Sequence, residues 1–100
     1  MVKVTEFDAS NYLDDEEVIV EYLAASLEDE NPDVFLAAIA NVAKARGMTS
    51  VAEKTGLGRE SLYKALKPGA KPRYDTVMKV VRSLKLRLSV ESEARRATAR

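Results

Sequence analysis

Neither cysteine nor histidine occurs in these 100 residues. Without cysteine there is no disulfide and no thiolate metal site. Without histidine the usual general base and the commonest metal ligand are gone. No apolar run approaches the roughly 20 residues of a membrane span, and the N-terminus lacks the apolar core of a signal peptide. A soluble, cytoplasmic chain is the expectation. No phosphate-binding glycine loop is present. Adjacent carboxylates such as Glu16 and Glu17 point about 100° apart on a helix, so they do not form a catalytic pair. No catalytic, cofactor-binding or metal-binding residue is expected, and the chain does not read as an enzyme.

What is present is a globular composition with an uneven charge. The apolar share of 46% is ordinary, and the length suits one small domain spanning residues 1–100. The formal net charge is zero. Residues 1–33 nevertheless hold eleven acids and one base, Lys3, for −10; residues 34–100 hold fifteen bases and five acids, for +10. A polyanion is attracted to the second part and repelled by the first. The plainer reading, that the halves neutralise each other within one fold, is compatible with this.

Hydrophobic spacing predicts five helices. The first starts near Asp14 or Asp15 and runs to about Leu27, with Val18, Ile19, Tyr22, Leu23 and Leu27 on one apolar face. Asn31 is an N-cap and Pro32 a first helical residue, opening a second helix that ends at Gly47. Its buried stripe is Phe35, Leu36, Ile39, Val42 and Ala43. Thr49 caps a third, short helix ending near Thr55. A fourth covers Arg59 to Leu66, and a fifth runs from Tyr74 or Asp75 to Leu84. Between the last two, two prolines and a glycine in residues 67–73 bar any continuous helix. Leu86-Arg-Leu-Ser-Val alternates apolar and polar residues and predicts a strand over 86–90. Such a strand must pair, either with a short N-terminal strand at Val2–Val4 or with its own copy in a second subunit. Residues 93–100 read as a polar tail.

Residues 49–66 have the grammar of a helix-turn-helix. Ala52 lies four residues before Gly56, and Leu62 follows Gly56 by six. A small side chain at Ala52 lets the two helices pack closely. Gly56 can take the positive φ of a tight turn, and Leu57 and Leu62 fill the angle. The fourth helix is then an exposed rod suited to a major groove. Its outward candidates are Arg59, Glu60, Ser61 and Lys64: Arg for guanine O6 and N7, Glu for cytosine N4, Lys64 for a phosphate or a guanine, Ser61 for phosphate. Lys67, Lys71 and Arg73 on the following loop would meet the backbone. The competing reading is a solvated face with an ordinary Glu60–Lys64 pair. Tyr63 has two readings, a hydroxyl that touches a phosphate and a ring that packs beneath the loop, and packing is the expectation.

Seven stretches together resemble a family. They are Phe7-Asp-Ala-Ser-Asn-Tyr-Leu-Asp with Glu16-Glu17, Tyr22-Leu23, Phe35-Leu-Ala-Ala-Ile, Ala43-Lys-Ala-Arg-Gly-Met-Thr, Gly58-Arg-Glu-Ser-Leu-Tyr-Lys-Ala-Leu, Arg73-Tyr-Asp-Thr-Val and Leu86-Arg-Leu-Ser-Val. They are similar to the addiction-module antidote proteins, HigA-like antitoxins of the Xre-type helix-turn-helix class. The resemblance implies an all-α, five-helix, lambda-repressor-like domain with a short C-terminal strand. It implies a homodimer on double-stranded operator DNA and a small basic partner, a RelE/ParE-like toxin. It also directs attention to Thr49 and Ser50, at the start of the third helix, as DNA contacts. Ser50 departs from the longer polar residue, such as Gln, often found there. The acidic first third suits a basic toxin and the basic remainder suits DNA. A stand-alone repressor without a toxin is the alternative, and an interaction module without DNA binding is a third.

Overall fold

The computed structural model describes residues 15–94. Five helices follow in order: α1 (Glu16–Leu27), α2 (Pro32–Arg46), α3 (Met48–Thr55), α4 (Arg59–Leu66) and α5 (Tyr74–Ser83). The expected Val2–Val4 strand, the turn at Asp8–Asn11 and a helix start at Asp14 fall outside the described residues, as does the tail from 95 onward. Among the described residues, no helix is long and apolar enough to cross a membrane.

Local chemistry sets the helix starts. Asp15 caps α1, its carboxylate accepting from the Glu17 amide at 2.8 Å. Asn31 caps α2, accepting from the Asp33 amide at 2.9 Å, with Pro32 in the first turn. Such caps each contribute on the order of 1 kcal/mol by satisfying an orphan amide. Thr49 does not cap α3. Gly47 ends α2 and starts α3 at once, with φ 103° and ψ 113°, so Thr49 lies inside the helix. That backbone geometry is open to glycine and strained for other residues, which is why α2 and α3 can join through one residue.

The core is built around α2, which touches all four other helices. Ile39, Val42 and Ala43 are fully buried there, and Ala38 is nearly so. Ile19 and Leu23 reach them from α1, Val51 and Ala52 from α3, Leu62 and Leu66 from α4, and Val80, Val81 and Leu84 from α5 and its cap. Each large aliphatic side chain so buried contributes about 1.5–3 kcal/mol of transfer free energy. One polar bond ties the outer helix to the central one: Asn41 Nδ2 donates to Tyr22 Oη at 2.8 Å.

The α1 face is narrower than its apolar residues suggest. Val18 and Leu27 are 41% and 51% exposed, and Tyr22 is half-buried. Ser26 is buried instead, its hydroxyl donating to the Leu23 carbonyl at 2.6 Å. A helix packed chiefly on one neighbour, as α1 is on α2, buries mainly the line facing it. On α2, Phe35 and Leu36 are half-buried.

Residues 86–90 form no strand. Alternation alone does not make one: a strand needs a ladder partner, and these residues find none among the described residues. The segment instead leaves α5 through a tight cap. Lys85 takes φ 64°; its amide donates to the Arg82 carbonyl at 3.0 Å, and the Leu86 amide donates to the Val81 carbonyl at 3.3 Å. This is the Schellman pattern with lysine at the left-handed position. Leu86 packs on the core, while Leu88 and Val90 are exposed.

Candidate functional site

The turn between α3 and α4 is fixed by three bonds. Gly56 has φ 78° and ψ 7°, in the left-handed region, and its amide donates to the Ala52 carbonyl at 3.0 Å. Thr55 Oγ1 donates to the Ala52 carbonyl at 3.2 Å and accepts from the Leu57 amide at 3.2 Å. Ala52 is buried on α3, and α3 packs against α4. Leu57 packs on the core and Leu62 is fully buried, so the expected plugs are in place.

Inside α4, Leu62 and Leu66 are buried and Ala65 is half-buried; Arg59, Glu60, Ser61, Tyr63 and Lys64 are exposed. Three apolar positions thus anchor the helix, and five residues of mixed polarity face water. Tyr63 does not pack away beneath the loop. Its ring is 48% exposed, and the Arg59 guanidinium carbon lies 5.9 Å from the ring centroid. The reason is spacing: residues four apart stack on the helix surface. The four-residue separation of Tyr63 from Arg59 was the available signal for this ring contact. Glu60 and Lys64 form no ion pair with each other among the described residues. Both heads stay available to an external partner.

The loop after α4 begins with Lys67, extended at φ −74° and ψ 157° as its place before Pro68 requires. The Ala70 amide closes a turn onto the Lys67 carbonyl at 3.1 Å. Lys67, Lys71 and Arg73 are all exposed. Arg73 forms an open ion pair with Asp75, Nε to Oδ1 3.4 Å, with the side chains 84% and 58% exposed. Such a pair contributes little to stability and is readily exchanged for another anion.

Thr49 and Ser50 part company. Thr49 is exposed on α3, whereas Ser50 is half-buried in a cleft of about 270 Å³ with Arg46, Lys54, Ser83 and Lys85. None of Arg59, Glu60, Ser61 or Lys64 lines that cleft. The seven candidates on α4 and its loop lie within residues 59–73, and none of them lines the cleft that holds Ser50. Among the described residues, no group of three or more carboxylate, imidazole or thiol side chains is placed to hold a metal ion.

Comparison with known proteins adds a family. Residues 3–92 match the sequence profile of a family described as "Probable addiction module antidote protein". An uncharacterized protein of Haemophilus influenzae (strain ATCC 51907 / DSM 11121 / KW20 / Rd) is 38% identical over 89 residues, covering 89% of this chain and 92% of that protein. No solved structure matches. With the family match running from before α1 to beyond α5, the chain belongs to this family of addiction-module antidote proteins.

Proposed function

We propose that the chain is the antitoxin of a type II toxin–antitoxin module. It binds and neutralises a small basic toxin of RelE/ParE-like type. As a cytoplasmic homodimer it also binds double-stranded operator DNA in a sequence-specific way and represses its own operon. The family match over residues 3–92 is the observation that carries the antidote role. The chain acts by binding alone and is not an enzyme.

For the DNA role, α3, the Gly56 turn and α4 are taken as a HigA-like, Xre-type helix-turn-helix. Its support is the exposed row on α4 above a fully buried Leu62. Arg59 reads guanine through O6 and N7, and Glu60 accepts from cytosine N4. Lys64 takes a phosphate or a guanine, and Ser61 a phosphate. Lys67, Lys71 and Arg73 hold the backbone and fix register. Thr49 is a further phosphate contact from α3, and Ser50 contributes least, because its cleft is lined by none of the α4 candidates.

Two measurements separate this from a stand-alone repressor. The purified chain is titrated with the product of the neighbouring small basic reading frame, and with DNA from upstream of its own gene. Binding of both is the expected result. Binding of DNA without the neighbour's product leaves only a repressor. Binding of the neighbour without DNA removes autorepression.

A further inference from the structure

An apolar groove of about 660 Å³ separates the α1–α2 turn from the loop that leads into α5. Leu27, Phe35 and Leu36 line one side, and Pro72, Tyr74 and Val77 line the other. Two of these residues are unusually open for their size. Leu27 is 51% exposed and Tyr74 is 77% exposed. Neither position is needed to close the core, which is complete without them. An exposed aromatic beside an apolar floor is the composition of a protein-binding anchor.

The charge around the groove selects the occupant. Asp29, Glu30 and Asp33 also line it, against one ammonium, Lys71, which is three carboxylates and one base, or −2. Among the described residues, none of the three acids forms an ion pair. Nucleic acid and anionic lipid are repelled by such a rim. A second copy docked by a two-fold would set −2 against −2 over the same patch. Lys and Arg are suited to it, because their aliphatic stems lie along apolar surface while their heads reach carboxylates.

We propose that this groove is the docking site for a basic amphipathic segment of the protein that the antidote neutralises. Its apolar face sits on Leu27, Phe35 and Tyr74, and its Lys or Arg heads meet Asp29, Glu30 and Asp33. This rests on the antitoxin reading above and adds the surface that performs it. The area lies on the α1–α2 corner and the start of α5. It shares only Lys71 with the α4 and loop residues assigned to DNA.

The test uses the full chain and the product of the neighbouring small basic reading frame, titrated by calorimetry at low and moderate salt. Three variants are compared with wild type: Tyr74→Ala, the triple Asp29→Asn/Glu30→Gln/Asp33→Asn, and Glu53→Gln, an exposed acid on α3 that does not line the groove. Circular dichroism melts check that each is folded. Tyr74→Ala and the triple variant are each expected to weaken binding at least tenfold, the triple also flattening the salt dependence. Glu53→Gln is expected to bind as wild type. If both groove variants stay within twofold of wild type while the neighbour still binds, the groove assignment is overturned and the antitoxin reading stands. If the neighbour does not bind wild type at all, the antitoxin reading falls and the assignment falls with it. If light scattering shows that the groove variants instead abolish self-association, the occupant is a second copy and the proposal is overturned.

Discussion

The Arg59 guanidinium lies over the Tyr63 ring, 5.9 Å from its centroid, one helical turn along α4. Both residues stand on the exposed side of a helix whose Leu62 is fully buried. A ring in this position attracts the cation by about 0.5–1 kcal/mol at an exposed site and reduces the number of rotamers the long side chain samples. Tyr63→Phe keeps the ring and is expected to bind upstream DNA as wild type does. Tyr63→Ala is expected to weaken binding several-fold, and Arg59→Ala to cost about 1–3 kcal/mol and relax specificity at one base pair. Fluorescence anisotropy against operator and point-substituted DNA checks all three. Equal loss on every sequence would make Arg59 a phosphate contact.

Lys64 and Lys67 are exposed at the end of α4 and just beyond it. If each neutralises one phosphate, removing either lowers the slope of log K against log salt by about 0.9. Lys79→Ala on α5, where the lysine is exposed but outside the proposed contact set, is expected to leave the slope unchanged. A slope that falls equally for Lys79→Ala would mean a diffuse field with no defined clamp.

Leu62 is the residue on which the α4 surface rests, at 0% exposure in the core, where α4 packs against α2 and α3. Leu62→Ala is expected to destabilise the fold by about 2–5 kcal/mol through lost transfer energy and the cavity left behind. Urea denaturation measures it. Lys64→Ala on the opposite face is expected to lie within about 0.5 kcal/mol of wild type. A small effect for Leu62→Ala would show that α4 is less firmly seated than its burial implies.

Much of this was legible in the sequence, because it depends on local chemistry. Asp15 and Asn31 act as caps within two residues of themselves, and Gly56 ends α3 by its own backbone freedom. The buried pair Leu62 and Leu66 follows from their spacing once α4 is placed. The failures depend on neighbours. Leu27 fits the apolar stripe of α1 yet stays half open, since α1 packs chiefly against α2. Leu86–Val90 has strand alternation but no partner among the described residues, and a ladder cannot be read from one side. Thr49 lost the capping role because Gly47 served two helices. The groove with Tyr74 joins residues more than 40 apart in sequence, from Ser26 to Val77, which periodicity does not report.

Lys85 occupies the left-handed position that glycine usually fills after a helix, with φ 64°. A Cβ there costs on the order of 1 kcal/mol, and the lysine side chain is exposed, so little packing is lost with it. Lys85→Gly is expected to raise stability by a few tenths to about 1 kcal/mol, the relief being offset in part by glycine's freedom in the unfolded chain. Chemical denaturation gives the value. Destabilisation would mean that the lysine head makes a contact worth more than the strain.

The central claim is that this chain silences a toxic neighbour by binding it. The most direct measurement is viable count in cells expressing the neighbouring small basic reading frame, with and without this chain supplied from a second promoter. The expected result is growth arrest by the neighbour alone and full recovery when the wild-type chain is present. Arrest that persists in the presence of folded, soluble chain would contradict the claim, as would a neighbour that arrests nothing.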